Sequence, residues 1–508
     1  MSGMFKSTIV VTALNGLGMV LSLLSQVLIA AKFGTGKEMD IYLAATTPPL
    51  FVTSILTNSL SFTFIPVFAE YRAKNISETW KIVSTFTNMS ILITTVLTII
   101  GIFFSHPIMK LLAPGFNDEK IDLSANLLCW LMPTIILTII NELMSSVYYS
   151  NNRFSIPLIN KIINPALTII YVLLFSASMS TKSLVFASLT AMFLQTLFLA
   201  IGFMRNKEFS YSFVFEYTHP GVLKIVKLML PLIAGMIIYR ALPLFDRFIA
   251  STLPEGSISF LGYSSKIYFL LASIITSGIS LSVFPLMSKL MAENNQVSLR
   301  HVMSKGIRFL FFLSIPITLL FSIYSKNIIQ LFFERGEFHS ADTISTALAL
   351  SIYLIALPIA SAGTIVAQGY YILQDTITPV VIGILEMLVY IGLAYLLLPY
   401  LGFIAIPVSY VIYFYSSIVN AFIVRKKIGG TGGKGILISF LKHSLIACIV
   451  AAIIFLPVYF IPNLLMKNSI IALGLVLYCV FCKYFIKSEE ANLVWEKFFI
   501  NGLRKVLS

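Results

Sequence analysis

The chain has 508 residues, of which 58% are hydrophobic and only 11% charged, with a formal net charge of +14. Soluble domains carry about 25% charged residues, so this composition excludes a soluble enzyme, a secreted disulfide scaffold and a disordered chain. It fits a chain dissolved in lipid, where a Lys and Arg excess reads as loop charge that sets topology, not as a nucleic-acid surface.

A helix needs about 20 apolar residues to cross a bilayer. Fourteen stretches qualify, at roughly 7–31, 41–68, 82–106, 122–148, 154–176, 183–204, 222–250, 258–288, 307–325, 341–371, 376–398, 402–424, 436–460 and 468–486. The first is too long for a signal-peptide core. Kinks are expected at Pro48-Pro49 and Pro243, because proline removes a helix hydrogen bond. The segments are too long, and alternate too little, for barrel strands.

Fourteen spans put both ends on one side. If that side is the cytoplasm, the inner segments hold 18 Lys and Arg residues and the outer segments 8. The bias predicts cytoplasmic termini. The inner residues include Lys207, Lys497, Arg504, Lys505 and the run Arg425-Lys426-Lys427, which reads as a topology anchor or a lipid-phosphate site.

The two halves repeat. Gln26–Ala30 aligns with Asp246–Ala250, Phe64-Ile65-Pro66 with Val283-Phe284-Pro285, and Tyr148-Tyr149 with Tyr370-Tyr371, at shifts of 219 to 222. Duplication of six spans gives two copies of the same orientation, and transporters of this build place the substrate path between halves. The expected fold class is an all-α polytopic membrane protein of about fourteen transmembrane helices. It has two pseudo-symmetric six-helix lobes, residues 1–221 and 222–428. Two further helices and a tail, residues 429–508, follow a loop rich in glycine, Gly429-Gly430-Thr431-Gly432-Gly433.

Ionisable groups inside spans are costly and face a cavity or a partner. Arg240, Asp246 and Arg247 lie in the seventh span and Lys266 in the eighth. Arg240 and Arg247 are seven apart, which puts them on nearly one helix face. With Lys266 they make a candidate cationic patch for an anionic headgroup. Asp246 and Glu386 are candidates for Na+ or H+ coupling, since a carboxylate in a low-dielectric site binds a proton or cation. Gln26, Asp40, Glu142 and Lys161 are candidate cavity or gate groups; Lys161 is also a structural partner for Glu142.

No catalytic or metal cluster is expected. His106, His219, His301, His339 and His443 read as polar residues at the membrane interface, and Cys129, Cys448, Cys479 and Cys482 as packing residues. No cofactor, nucleic acid or obligate protein partner is expected.

Several motifs carry a family resemblance. They are Ile29-Ala30-Ala31-Lys32-Phe33-Gly34-Thr35-Gly36 with Asp40, then Phe64-Ile65-Pro66-Val67-Phe68-Ala69-Glu70-Tyr71-Arg72, and Leu253-Pro254-Glu255-Gly256-Ser257-Ile258-Ser259. Further along come Phe333-Glu334-Arg335-Gly336-Glu337-Phe338 and Gln374-Asp375-Thr376 with Thr378-Pro379-Val380. Over about the first 425 residues the chain resembles the MurJ (MviN-like) lipid II flippases of the multidrug/oligosaccharidyl-lipid/polysaccharide exporter superfamily. The resemblance implies two lobes around a central cavity and two C-terminal helices that groove the lipid tail. It implies flipping of an undecaprenyl-diphosphate-linked saccharide from the cytoplasmic to the outer leaflet of the bacterial inner membrane.

There are departures. Ser25-Gln26 and Val52-Thr53 stand where the family carries arginines, and no arginine occurs between Lys6 and Arg72. In the eighth span the family's cation is kept as Lys266. Asp246 matches an acidic position that the resemblance implicates in sodium binding, whereas the eleventh span has Tyr390 and Ala394, with Glu386 one turn earlier. The expected partners are a polyprenyl-diphosphate-linked saccharide and membrane lipid. The alternatives are a flippase for another lipid-linked oligosaccharide of surface polysaccharide, a cation-coupled small-molecule exporter and a non-transporting membrane scaffold.

Overall fold

The computed structural model describes residues 2–151, 153–205, 210–375, 377–430 and 433–495. Lys207, Lys497, Arg504 and Lys505, counted above as inner-side cations, lie outside the described residues, as do Thr376, Thr431 and Gly432. Everything that is regular among the described residues is helix. Lipid offers the backbone no hydrogen-bond partner, so a spanning segment must satisfy its N–H and C=O groups internally.

Contacts divide the chain into two compact units. The first covers residues 1–259 and Arg335–Phe338, the second Phe260–Glu334 and 339–508. The first contains α1 (Ser2–Phe33), α2 (Lys37–Lys74), α3 (Ile76–Phe103), α4 (Ser105–Leu112), α5 (Asp118–Leu131), α6 (Thr134–Ser150), α7 (Ser155–Met179), α8 (Lys182–Met204), α9 (Pro220–Arg240) and α10 (Leu242–Ser251). Helix α11 (Ser257–Ala292) begins in the first unit and continues in the second. The second also holds α12 (Gln296–Ile323), α13 (Ser325–Phe333), α14 (Ser340–Ile355), α15 (Leu357–Ile372), α16 (Ile377–Leu401), α17 (Ala405–Ser416), α18 (Ile418–Lys427), α19 (Gly433–Phe460), α20 (Leu464–Tyr484) and α21 (Glu489–Val494).

Twelve segments of the described chain are individually long and apolar enough to cross a membrane, and the α14–α15 pair, bent by 42°, makes a thirteenth. One of the twelve, Ile377–Lys427, is 51 residues long. It is divided by a short 3-10 turn at Gly402–Ile404, and α16 packs on α17. Gly402 supplies the positive φ of 54° for that turn. Counting it as two spans gives the fourteen expected.

The duplication is visible in the order of elements. Helices α3 and α12 start one residue after Asn75 and Asn295, whose side chains accept from Ser77 and Ser298 N–H respectively. Such asparagine caps satisfy amides that the helix itself leaves open. Both helices end at an aromatic residue, Phe104 and Tyr324, and a short helix follows, α4 or α13. Next comes a broken pair, α5–α6 interrupted at Met132-Pro133 and α14–α15 at Ala356, just before Pro358. The two breaks and the two short helices were not expected from the apolar runs. Proline cannot donate to the ladder, which explains the breaks. By contrast α2 continues through Pro48, Pro49 and Pro66 without interruption.

Within the first unit, α2 is central. Its buried Ile41, Ala44 and Ala45 pack with residues of α4, α5 and α8, and Leu60, Phe64, Val67 and Phe68 pack with residues of α3, α6 and α9. In the second unit Leu320 and Tyr324 pack with Ala451, Ile454, Val458 and Ile471 of α19 and α20. Lipid tails are as apolar as leucine, so this association rests on close packing. Buried hydroxyls bond back to their own helix, as Thr47 donates to Leu43 O (2.8 Å) and Thr63 to Ser59 O (2.9 Å).

Two loops dock crosswise inside the first unit. Gly336, at φ 59°, lies so close to the end of α1 that a Cβ would stand 2.1 Å from Ala31 O. Gly115 lies equally close to the end of α10, where a Cβ would stand 2.1 Å from Ser251 O. Ala31 and Ser251 are 220 positions apart, so the contact is made twice, once by each half of the sequence on the other. Gly336→Ala is expected to destabilise the protein by about 1–3 kcal/mol through clash and positive φ. Gly363→Ala, with open space around it, should not lower the unfolding temperature in detergent; equal behaviour of the two variants would contradict the docking.

Candidate functional site

The docked loops bring helix starts together, and the site is built on them. Helix α2 begins at Lys37 after Gly36, which has no side chain to cap it. Glu255 supplies the missing acceptor, taking the Lys37 N–H at 2.9 Å. In return Asp40, in the first turn of α2, caps α11: its Oδ2 accepts from Gly256 N (2.7 Å), and its Oδ1 from Ser259 N (2.8 Å) and Ser259 Oγ (2.5 Å). Anions at helix N-termini meet open amides and the positive end of the helix dipole. Each half therefore caps a long helix of the other.

Asp40 is 3% exposed. Its carboxylate is also drawn electrostatically to Arg247, whose Nη1 donates to Ile258 O at 2.9 Å. Around this core, Lys37 pairs with Glu119 (2.7 Å), Lys120 pairs with Glu255 (2.9 Å), and Ser180 hydrogen-bonds Glu38. Glu255 lies in the loop between α10 and α11. The Lys120 ammonium, more than any other neighbour, holds its carboxyl below the usual range, though the pair is partly exposed.

The remaining candidates are distributed over both units. Arg240 ends α9 and is exposed, whereas Asp246 and Arg247 lie half-buried in α10. The helix is interrupted at Ala241, just before Leu242-Pro243, so the seven-residue spacing no longer defines a shared face for Arg240 and Arg247. That corrects the one-face expectation. Lys266, half-buried in the second unit, holds its Nζ 5.9 Å from the Tyr263 ring centroid, within cation–π range. Gln26 is half-buried in α1.

Glu142 on α6 accepts from Ser61 Oγ of α2 at 2.6 Å. Exposed Lys161 on α7 hydrogen-bonds Tyr149, one heptad beyond Glu142 on α6, and both charges act on that tyrosine. Glu386 is buried in α16 and accepts from Asn420 Nδ2 at 3.0 Å, while Tyr370 OH donates to Asn420 Oδ1 at 3.1 Å.

Some partners escape sequence spacing. Glu255 and Ser259 belong to a motif quoted above, and Pro254-Glu255-Gly256-Ser257 carries the signal of a helix start, but not which helix its carboxylate caps. His443 is a correction. It is 2% exposed, not an interfacial residue, and pairs with Tyr478 OH at 2.9 Å, with Cys482 Sγ at 3.6 Å from the same ring nitrogen. No group of three or more His, Cys, Asp or Glu side chains that could hold a metal occurs among the described residues.

Comparison with solved structures places the fold. A multidrug resistance MATE family transporter of the MOP superfamily, in an inward-facing conformation, matches with a TM-score of 0.70 at 15% identity, covering 81% of this chain and 94% of that one. A structure described as lipid II flippase MurJ, inward closed conformation, matches with a TM-score of 0.80 at 24% identity, covering 94% of this chain and 100% of that one. This chain shares the fold of both structures. The family model described as lipid II flippase MurJ matches residues 29–475, and the chain belongs to the MurJ family. Similar proteins include a probable lipid II flippase MurJ of Rickettsia prowazekii, 29% identical over 418 residues and 80% of each chain. Another is a probable lipid II flippase MurJ of Buchnera aphidicola subsp. Baizongia pistaciae, 28% identical over 385 residues and 75% of each chain.

Asp40→Ala leaves two helix-start amides without their acceptor and is expected to cost about 2–4 kcal/mol, with Asp40→Asn costing less because one acceptor remains. Chemical or thermal unfolding in detergent measures the difference. An Asp40→Ala protein as stable as the parent would remove the capping role.

Proposed function

We propose that the protein moves lipid II, an undecaprenyl-diphosphate-linked saccharide, from the cytoplasmic to the outer leaflet of a bacterial inner membrane. The observation that carries this reading is the family match across residues 29–475, on a chain with twelve segments individually long and apolar enough to cross a membrane. The work is transport by alternating access, with no covalent step assigned to any side chain.

In this reading the diphosphate is met by Arg247 and Lys266, with Arg240 as a further cation. Guanidinium offers paired donors to phosphate and ammonium a point charge. Arg247 is held by Ile258 O, which limits its freedom before substrate arrives. Asp246 and Glu386 are proposed to couple transport to Na+ or H+, and Asn420 and Tyr370 orient Glu386. Gln26, Glu142 and Lys161 serve as polar groups along the path, while Asp40 serves as a gate through its hold on α11. Both termini face the cytoplasm, in line with the 18 to 8 distribution of Lys and Arg. The lipid tail stays in the bilayer, along α19 and α20.

Expression in a bacterium depleted of its own lipid II flippase should restore growth. Failure by a correctly inserted protein would point to another lipid-linked glycan. Charge reversal of Arg247 and Lys266 to Glu should abolish that rescue while leaving insertion intact; retained rescue removes them as headgroup contacts. Asp246→Asn should blunt the response of transport to an imposed sodium or proton gradient, and an unchanged response sinks the coupling role.

A further inference from the structure

The cationic run at the end of α18 is not used by the transport path. Lys427, the last residue of α18, contacts Asp375 in the loop between α15 and α16 and pulls that carboxyl from its ordinary 3.8 down to about 2. Its neighbours behave differently. Arg425 and Lys426 in the last turn of α18, and Lys434 in the first turn of α19, are exposed. Arg300, in the first turns of α12, reaches the same loop. Its Nε donates to Ile428 O at 2.6 Å and its Nη2 to Gln296 Oε1 at 3.2 Å. No carboxylate among the described residues lies within ion-pairing distance of these four cations.

Two glycines lie beside the guanidinium groups. A Cβ on Gly429 would stand 2.2 Å from Arg300 Nη2, and one on Gly433 would stand 2.7 Å from Arg425 Nη1. Arg300 and Arg425 thus both border the end of α18, and like charges gathered at one site repel unless an anion sits with them. Three membrane-spanning segments end or begin here: Gln296–Ile323, Ile377–Lys427 and Gly433–Phe460. The cluster therefore lies at the depth of lipid phosphates. Directly membrane-ward, Val419 and Phe422 of α18 and Leu437 and Ile438 of α19 are exposed apolar side chains. Cations above an open apolar surface match an amphiphile better than a free ion.

We propose that Arg300, Arg425, Lys426 and Lys434 bind the phosphate headgroup of an anionic phospholipid, whose acyl chains lie on the exposed apolar faces of α18 and α19. In the orientation proposed above this is a lipid of the cytoplasmic leaflet. The site is separate from Arg247 and Lys266 and does not depend on which glycan is carried.

The test is native mass spectrometry of the purified full chain in detergent, titrated with phosphatidylglycerol or phosphatidylcholine. The parent should retain one phosphatidylglycerol in clear preference to phosphatidylcholine. Arg425→Gln should weaken that retention about tenfold, the loss of one charged hydrogen-bonding group. Arg300→Gln should weaken it too. Arg205→Gln, an exposed cation of the first unit, should have no effect. Equal retention of both lipids, or parent-like behaviour of both Arg425→Gln and Arg300→Gln, would overturn the site and leave a topology anchor. Loss of the bound lipid on adding millimolar inorganic phosphate would overturn the lipid in favour of a free anion.

Discussion

The start of a long helix exposes amides that its own ladder cannot satisfy, and in a membrane protein neither lipid nor a close-packed neighbour supplies acceptors freely. Here that need is met across the sequence repeat. Asp40 of α2 serves the start of α11 and Glu255, just before α11, serves the start of α2. Charge reinforces each contact, because a carboxylate at a helix N-terminus also meets the dipole. Arg247 belongs to the same arrangement through Ile258 O and its attraction to Asp40. A residue selected as a headgroup contact is thus also part of what fixes α11. The first turn of α11 and the first turn of α2 are thus tied to each other by those hydrogen bonds.

Glycine completes the arrangement. Gly115 and Gly336 permit loop backbone to approach helix-end backbone at distances no side chain allows. At Gly429 and Gly433 the close neighbours are instead the movable tips of Arg300 and Arg425, so the close approach by backbone belongs to Gly115 and Gly336. At those two glycines the backbone of one segment becomes the wall against which another is positioned. Proline has the complementary role, dividing α5 from α6 and marking the bend between α14 and α15.

Much of the fold was legible because hydropathy and span length are properties of contiguous sequence. The spans, the repeat and the turn near Gly402 all follow from it. The division of long apolar runs was only partly legible: the interruption beside Pro243 was expected, but Pro133 and Pro358 also break their helices whereas Pro48, Pro49 and Pro66 are accommodated in α2. Proline shows where a ladder bond is lost, but packing decides whether the helix survives. The candidate charges could be found by subtraction, yet their partners could not. Asn420 for Glu386, Ser61 for Glu142 and Glu255 for Lys37 N–H are 34, 81 and 218 positions away. His443 shows the same limit, because its neighbours Tyr478 and Cys482 sit on another helix.

The crossed docking has a consequence for biogenesis. The end of α1 near Ala31 is completed by a loop that contains Gly336, and the start of α2 by Glu255. Ribosomes add roughly 5–20 residues per second, so the earliest helices wait on the order of 15–60 s for their final neighbours. During that interval the first half is inserted but unfinished at one rim. Contacts of such large sequence separation form late and slowly. These contacts can close only once about two-thirds of the chain has been made, and the first six spans alone would be an intermediate, not a smaller version of the whole.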